Sequence, residues 1–255
     1  MTIWEAVAVC VAGIGAGALN TIVGTGTLLT FPVLLAVGVP PVTANVSNAL
    51  GLVPGSVSGA IGYRRELSGQ RRRVLILGSV AFLGAIGGAA LLVTLPSSAF
   101  DTIVPVLIAV ALVLVIIQPW LSRLARRRRE KRGESARPHG GVLLPTGLLF
   151  ASAYGGYFGA AQGIIYLALM GLLLDESLQR INAVKNILGA IVNGTAAAFF
   201  LFVADFNWTA VLLIAAGSAV GGQFGALVGR KLPPTALRII IVAVGTAAIA
   251  QQLLR

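Results

Sequence analysis

The sequence predicts an all-α polytopic membrane protein built as two inverted repeats, each a broken-helix hairpin followed by three transmembrane helices. Three observations lead there. The composition is too apolar for one soluble core, apolar runs of spanning length recur from end to end, and the charged loops are spaced so that the two halves take opposite orientations. The 255 residues are 57% hydrophobic and only 11% charged, with a mean hydropathy of +0.92. That much apolar surface needs lipid to cover it.

Residues 1–120 form the expected first repeat, with a hairpin over 3–37 and helices over 43–62, 74–95 and 102–120. A basic linker, 121–141, precedes the second repeat, 142–255, with a hairpin over 142–174 and helices over 183–203, 208–228 and 236–254. The single helices match the length needed to cross about 30 Å of hydrocarbon, whereas the two hairpin segments are too long for one crossing and are split by Gly-rich sequence.

Orientation comes from arginine and lysine. The loops "YRRELSGQRRR" (63–73), "RLARRRREKRGESARPH" (123–139), "DESLQRINAVK" (175–185) and "GRKLPPTALR" (229–238) hold 18 of the 19 basic residues, and assigning all four to the cytoplasm satisfies the positive-inside rule. The three helices of the first repeat then run in, out and in, and those of the second run out, in and out. Both hairpins begin and end on one face, and both termini are expected outside. The net charge of +11 is thereby explained by topology, without nucleic acid as a partner. A faint echo between "GTGTLLTFPVLLAVGVPPVTANVSNALG" and "AQGIIYLALMGLLLDESLQRINAVKNILG" pairs Asn48 with Asn186 and Gly51 with Gly189.

Backbone that leaves the helix at membrane depth must be buried in protein or face a polar cavity. Two interrupted segments at matching positions of inverted halves mark a transporter's substrate site. The first tip, "NTIVGTGT", offers backbone N–H groups together with Asn20, Thr21, Thr25, Gly26 and Thr27. The second, "YGGYFGAAQG", offers Tyr154, Gly155, Gly156, Tyr157, Gly159, Gln162 and Gly163. The helices that follow add Asn45, Ser47 and Asn48 from one half and Asn182, Lys185, Asn186 and Asn193 from the other.

Such a set is rich in neutral donors, which bind an anion without fixing a countercharge in the bilayer. The eight acidic residues, Glu5, Glu66, Asp101, Glu130, Glu134, Asp175, Glu176 and Asp205, all fall at expected helix ends or in loops, and His139 falls in the linker. No intramembrane proton relay is expected, nor a metal or cofactor. An inside-negative potential favours expulsion of each negative charge by about 2.3 kcal/mol per 100 mV, so voltage suffices to drive export.

Several residues carry a second reading. The small residues of "GAIGGAA" and "GGQFGALVG" suit helix packing better than ligand contact. Thr21, Thr25 and Thr27 can bond back to their own helices. Lys185, the one basic residue set beyond a loop into an apolar helix, either meets substrate or snorkels to the cytoplasmic surface beside Arg180. The lone Cys10 permits no intramolecular disulfide. The N-terminus has Glu5 and no Lys or Arg before its apolar run, so it reads as a first structural segment, not as a cleaved signal.

The Gly-rich hairpin running into "FPVLLAVGVPPVTANVSNALGLVPGSVSGAIGYRRE", with a variant after "YGGYFGAAQG", resembles the sulfite exporter TauE/SafE family of membrane permeases over nearly the whole chain. The resemblance implies a multi-pass protein of a bacterial cell (plasma) membrane. It also implies export of sulfite, organosulfonates such as sulfoacetate, or related sulfur-containing anions, bound between the hairpins at Asn20 to Thr27, Asn45 to Asn48 and Gly155 to Gln162. The chain departs from the family pattern in "TANVSN", where an Ala-x-x-Thr-Ser run is expected, and in Met170, where the second repeat often has proline; these bear on which anion is moved.

Two other functions fit less well. A passive anion channel uses the same donors. A membrane lipid-phosphate phosphatase needs an acid, a nucleophile and usually an arginine or metal at the hairpin tips, and neither tip holds Asp, Glu, His, Arg or Lys. A flat Gly-rich helix face suits a homodimer. The expected partners are therefore a small anion, the bilayer and a second copy.

Overall fold

A computed structural model describes residues 1–132 and 141–228, and among these it contains nine helices and no strand. They are α1 (Ile3–Ile22), α2 (Thr27–Ala36), α3 (Pro41–Gly62), α4 (Arg71–Thr94), α5 (Ser97–Arg132), α6 (Leu143–Tyr157), α7 (Gln162–Leu173), α8 (Leu178–Phe200) and α9 (Trp208–Val228). The helix expected over 236–254, His139 and the basic loop at 229–238 lie outside the described residues.

Helix starts follow local chemistry. Thr2 and Glu5 form a capping box at α1, with Thr2 N–H donating to the Glu5 carboxylate at 2.7 Å and Glu5 N–H to Thr2 Oγ1 at 3.3 Å. Pro41 occupies the first position of α3, where its missing N–H costs nothing. Ser177 caps α8 by accepting from Arg180 N–H at 3.3 Å. Arg71–Arg73, read from sequence as loop, open α4, and α5 continues through 121–132, which had read as the start of the linker.

Among the described residues, five helices are long and apolar enough to cross a membrane: Ile3–Ile22, Arg71–Thr94, Ser97–Ile117, Leu178–Phe200 and Trp208–Val228. α3 is not among them, because it is the central helix of the bundle. It packs on both α8 and α9 and buries Asn45, Ser47, Asn48, Ser56 and Ser58, so it needs little apolar surface of its own. Large apolar side chains point the other way, with Leu83, Phe150, Leu212, Val220 and Leu227 exposed, as a lipid-facing surface requires.

Six of the described helices sort into two groups by direction. α1, α3 and α9 run parallel: Gly13 sits on Ile214 and Gly17 on Ser218, while Gly51 meets Ile214 and Gly55 meets Ser218. α4, α6 and α8 also run parallel, with Gly84 against Leu149 and Ser152, Gly88 against Ala153 and Tyr157, and Gly78 against Ile191. Between the groups, α3 and α8 are antiparallel. The start of α3 meets the end of the α8–α9 loop, where Asn207 N–H donates to Ser47 Oγ at 3.0 Å. Its far end meets the start of α8, where Gln70 Nε2 donates to Arg180 O at 3.1 Å.

Glycine makes these approaches possible. A Cβ on Gly17, Gly88, Gly221 or Gly222 would strike the backbone of the facing helix, so the small-residue stripes of α4 and α9 are packing faces.

Candidate functional site

Each hairpin breaks for the same local reason. α1 stops at Ile22 and α2 starts at Thr27, with Gly24 at φ +88° between them. α6 stops at Tyr157 and α7 starts at Gln162, with Gly159 at φ +76° and Ala161 at φ +58° between them. The left-handed glycines turn the chain at little cost, and the turn leaves helix-end carbonyls without their usual N–H donors.

Those carbonyls are capped from the far side of the bundle. Lys185 of α8 donates from Nζ to Asn20 O at 2.7 Å and to Thr21 O at 2.9 Å. Asn182 and Asn186, on the same face of α8, donate to Thr21 O at 3.2 and 3.3 Å. At the second break Asn45 of α3 donates from Nδ2 to Tyr157 O at 2.8 Å, and the Tyr154 hydroxyl closes the turn onto Ala160 O at 2.6 Å.

The two tips meet. Gly163 N–H donates to Gly24 O at 3.1 Å, and a Cβ on either glycine would collide with the other's Cα. Beside this contact lies a cavity of about 20 Å³ lined by Asn20, Gly24, Thr27, Gly159, Gln162, Gly163, Tyr166, Lys185, Asn186, Gly189 and Asn193. That is room for about one water molecule, so the tips are drawn together too tightly here to hold an anion. Polar groups dominate its wall, and of these side chains only Lys185 carries a formal charge.

The wall is held by short networks. Asn20 Nδ2 donates to Ser56 Oγ at 3.0 Å. Asn48 Nδ2 donates to Thr27 Oγ1 at 3.1 Å and its Oδ1 accepts from Thr30 Oγ1. Gln162 Nε2 donates to the Tyr166 hydroxyl, which in turn donates to Ser152 Oγ at 2.6 Å, the Ser152 hydroxyl itself donating to Leu148 O. The Gln162 side chain lies flat on Gly155, where a Cβ would strike it.

Of the nineteen residues singled out from sequence, Asn20, Thr27, Gly159, Gln162, Gly163, Lys185, Asn186 and Asn193 line the cavity. Asn45, Asn48, Tyr154 and Asn182 stand one step back and hold the breaks. Gly26 packs on Ala16 of its own hairpin, and Gly156 packs on Ala85 of α4. Thr21 turns away, its side chain wedged against Gly59 and Gly225, and Thr25 is buried with its hydroxyl unpaired. Ser47 sits at the α9 end of the bundle. The Tyr157 ring packs on Phe100 at 5.8 Å.

Lys185 does not snorkel: it is 2% exposed, drawn inward by the two carbonyls. Tyr166 and Gly189 were not read as cavity residues from sequence. Tyr166 could have been found, since it lies four residues after Gln162 on α7 and therefore on the same face.

Comparison with known proteins identifies a family of membrane transporters. The family described as Sulfite exporter TauE/SafE matches residues 9–251. The "Probable membrane transporter protein YfcA" of Escherichia coli K12 is 27% identical over 225 residues, covering 85% of this chain and 79% of its own length. A "Probable membrane transporter protein" of Haemophilus influenzae is 27% identical over 240 residues, covering 93% and 89%. The "Probable membrane transporter protein ORF9" of a Sinorhizobium species is 25% identical over 237 residues, covering 93% and 88%. No solved structure matches the chain.

Proposed function

The chain belongs to the sulfite exporter TauE/SafE family of membrane transporters, and on that premise we propose that it exports a small sulfur-containing anion, sulfite or an organosulfonate, by alternating access. The observation that carries the reading is the meeting of two broken-helix tips, at Gly24 and Gly163, over a small cavity whose wall is amides, hydroxyls and one buried amine. An oxyanion finds donors there from Asn20, Thr27, Gln162, Lys185, Asn186 and Asn193. A cation finds no carboxylate.

The exchange of partners between the halves supports an inverted-repeat carrier. The first arm of each hairpin, α1 or α6, packs on a helix of the other half, α9 or α4, and the helices after the hairpins, α3 and α8, cross antiparallel at the centre. In this reading residues 1–120 and 142–255 are the repeats and 121–141 is a cytoplasmic linker, in a bacterial plasma membrane with both termini outside. Transport then consists of rocking one set of helices against the other about the tips, opening the cavity by turns to each face. Because the helix-end carbonyls of each half are capped by side chains of the other, separating the tips exchanges some of these caps for the anion and for water.

The test is counterflow in proteoliposomes. Purified protein is expected to show saturable uptake of labelled sulfite or methanesulfonate, accelerated by the same anion on the opposite side. Single-channel currents would indicate a pore in place of a carrier, and transport of a cation or sugar with no sulfur oxyanion would overturn the substrate class.

A further inference from the structure

The geometry points to Lys185 as the residue that fixes the charge number of the cargo, so that the site selects anions bearing one negative charge over those bearing two. The inference rests on the anion-export reading and narrows it.

Lys185 is the single formal charge in the cavity wall. Two of its three N–H groups are committed to Asn20 O and Thr21 O, at 2.7 and 2.9 Å, and the third remains for the cavity. Its stem passes the tip contact itself, since a Cβ on Gly163 would lie 3.1 Å from Lys185 Cδ. The ammonium is therefore placed where the two halves meet.

Helix ends do not alter this charge. Each break sets the C-terminal end of one half-helix beside the N-terminal start of the next, α1 against α2 and α6 against α7. Their partial charges, about half a unit each and opposite in sign, offset within each break. What remains is one amine able to carry a single positive charge in a wall of neutral dipoles. A bound monoanion makes the closed cavity electrically neutral. A dianion leaves one negative charge buried without a counterion, and a buried unpaired charge is strongly disfavoured.

Full-length protein in detergent, titrated at pH 7 and at ionic strength held with gluconate, tests this by thermal stabilisation. The probes are methanesulfonate and sulfate, close in size and geometry and differing by one charge. Methanesulfonate is expected to reach half-saturation at a concentration at least about tenfold lower than sulfate. Lys185→Met should weaken methanesulfonate by roughly thirtyfold or more, and Lys185→Arg should keep the preference for a single charge. Sulfate binding as tightly as methanesulfonate, or Lys185→Met binding methanesulfonate like the native protein, would overturn the inference and leave anion export standing. If no sulfur oxyanion stabilises the native protein, anion export fails and the inference fails with it. Should Lys185→Met not fold, the two titrations of the native protein decide the matter alone.

Discussion

At the first break the N–H groups of Val23 and Gly24 both turn back to Leu19 O, at 2.8 and 3.0 Å. At the second, those of Phe158 and Gly159 turn back to Tyr154 O, at 2.9 and 3.1 Å. In each case the second of these residues is a glycine in the left-handed region, so locally the two hairpins solve one problem in one way. Across the bundle they differ. The carbonyls of the first break receive a charged amine and two amides from α8, whereas the second receives one amide from α3 and closes with its own tyrosine. The comparison teaches that the broken backbone needs only donors, whichever side chains supply them; in the proposed function the single ammonium on one side also meets the anion.

The comparison can be broken most forcibly at the tips. Gly24→Ala places a Cβ in collision with Gly163 Cα at a φ of +88°, so strain and steric conflict should together cost more than about 3 kcal/mol. Gly159→Ala, also at positive φ, would set its Cβ 3.0 Å from Gly155 O and should cost about 1–2 kcal/mol. Thermal unfolding in detergent checks both. A Gly24→Ala variant as stable as Gly159→Ala would mean that the tips do not meet in the native protein.

Next comes the charged cap. Lys185→Met removes the donor to Asn20 O while Asn182 and Asn186 still serve Thr21 O, so the loss is expected at about 2–3 kcal/mol, with transport abolished in the counterflow assay. Asn45→Ala leaves Tyr157 O unpaired and should cost less, about 1–2 kcal/mol, with transport slowed but measurable. Equal transport defects in the two variants would show that the asymmetry of the caps has no functional weight.

The smallest effect is expected away from the breaks, where the halves touch between the α3–α4 and α7–α8 loops. Burial pushes the Glu176 carboxyl up, but hydrogen bonds and charge from Arg73, at 2.9 Å, and Arg180, at 2.7 Å, outweigh it and hold the carboxyl below its ordinary value. Its contribution to stability is therefore complete above the ordinary carboxylate range and is lost as pH falls through the lowered value. Acid titration of thermal stability should show this step in the native protein and a smaller one in Glu176→Gln.

Much of the bundle was legible in residue order. Apolar runs mark the helices, and Gly-rich sequence marks where two of them break. The polar content of α3 was legible too, but it read as substrate contact. In the structure Asn45, Ser47 and Asn48 satisfy backbone and side-chain groups of neighbouring elements, and none lines the cavity. Thr21 was misleading in the same way, because a hydroxyl beside a break points to a site while the Gly59 and Gly225 faces that pull it aside lie far along the chain.

By itself, then, the sequence determined that this chain lives in lipid, that it is helical, where its helices yield, and that no acid stands among the yielding segments. These depend on hydropathy, propensity and turn chemistry, which act over a few residues. Only the tertiary structure decided that Gly24 meets Gly163, that Lys185 turns inward to Asn20 and Thr21, and that Asn45 crosses to Tyr157. Each joins groups more than a hundred residues apart, and a buried carbonyl takes whichever donor the packing delivers, irrespective of distance along the chain.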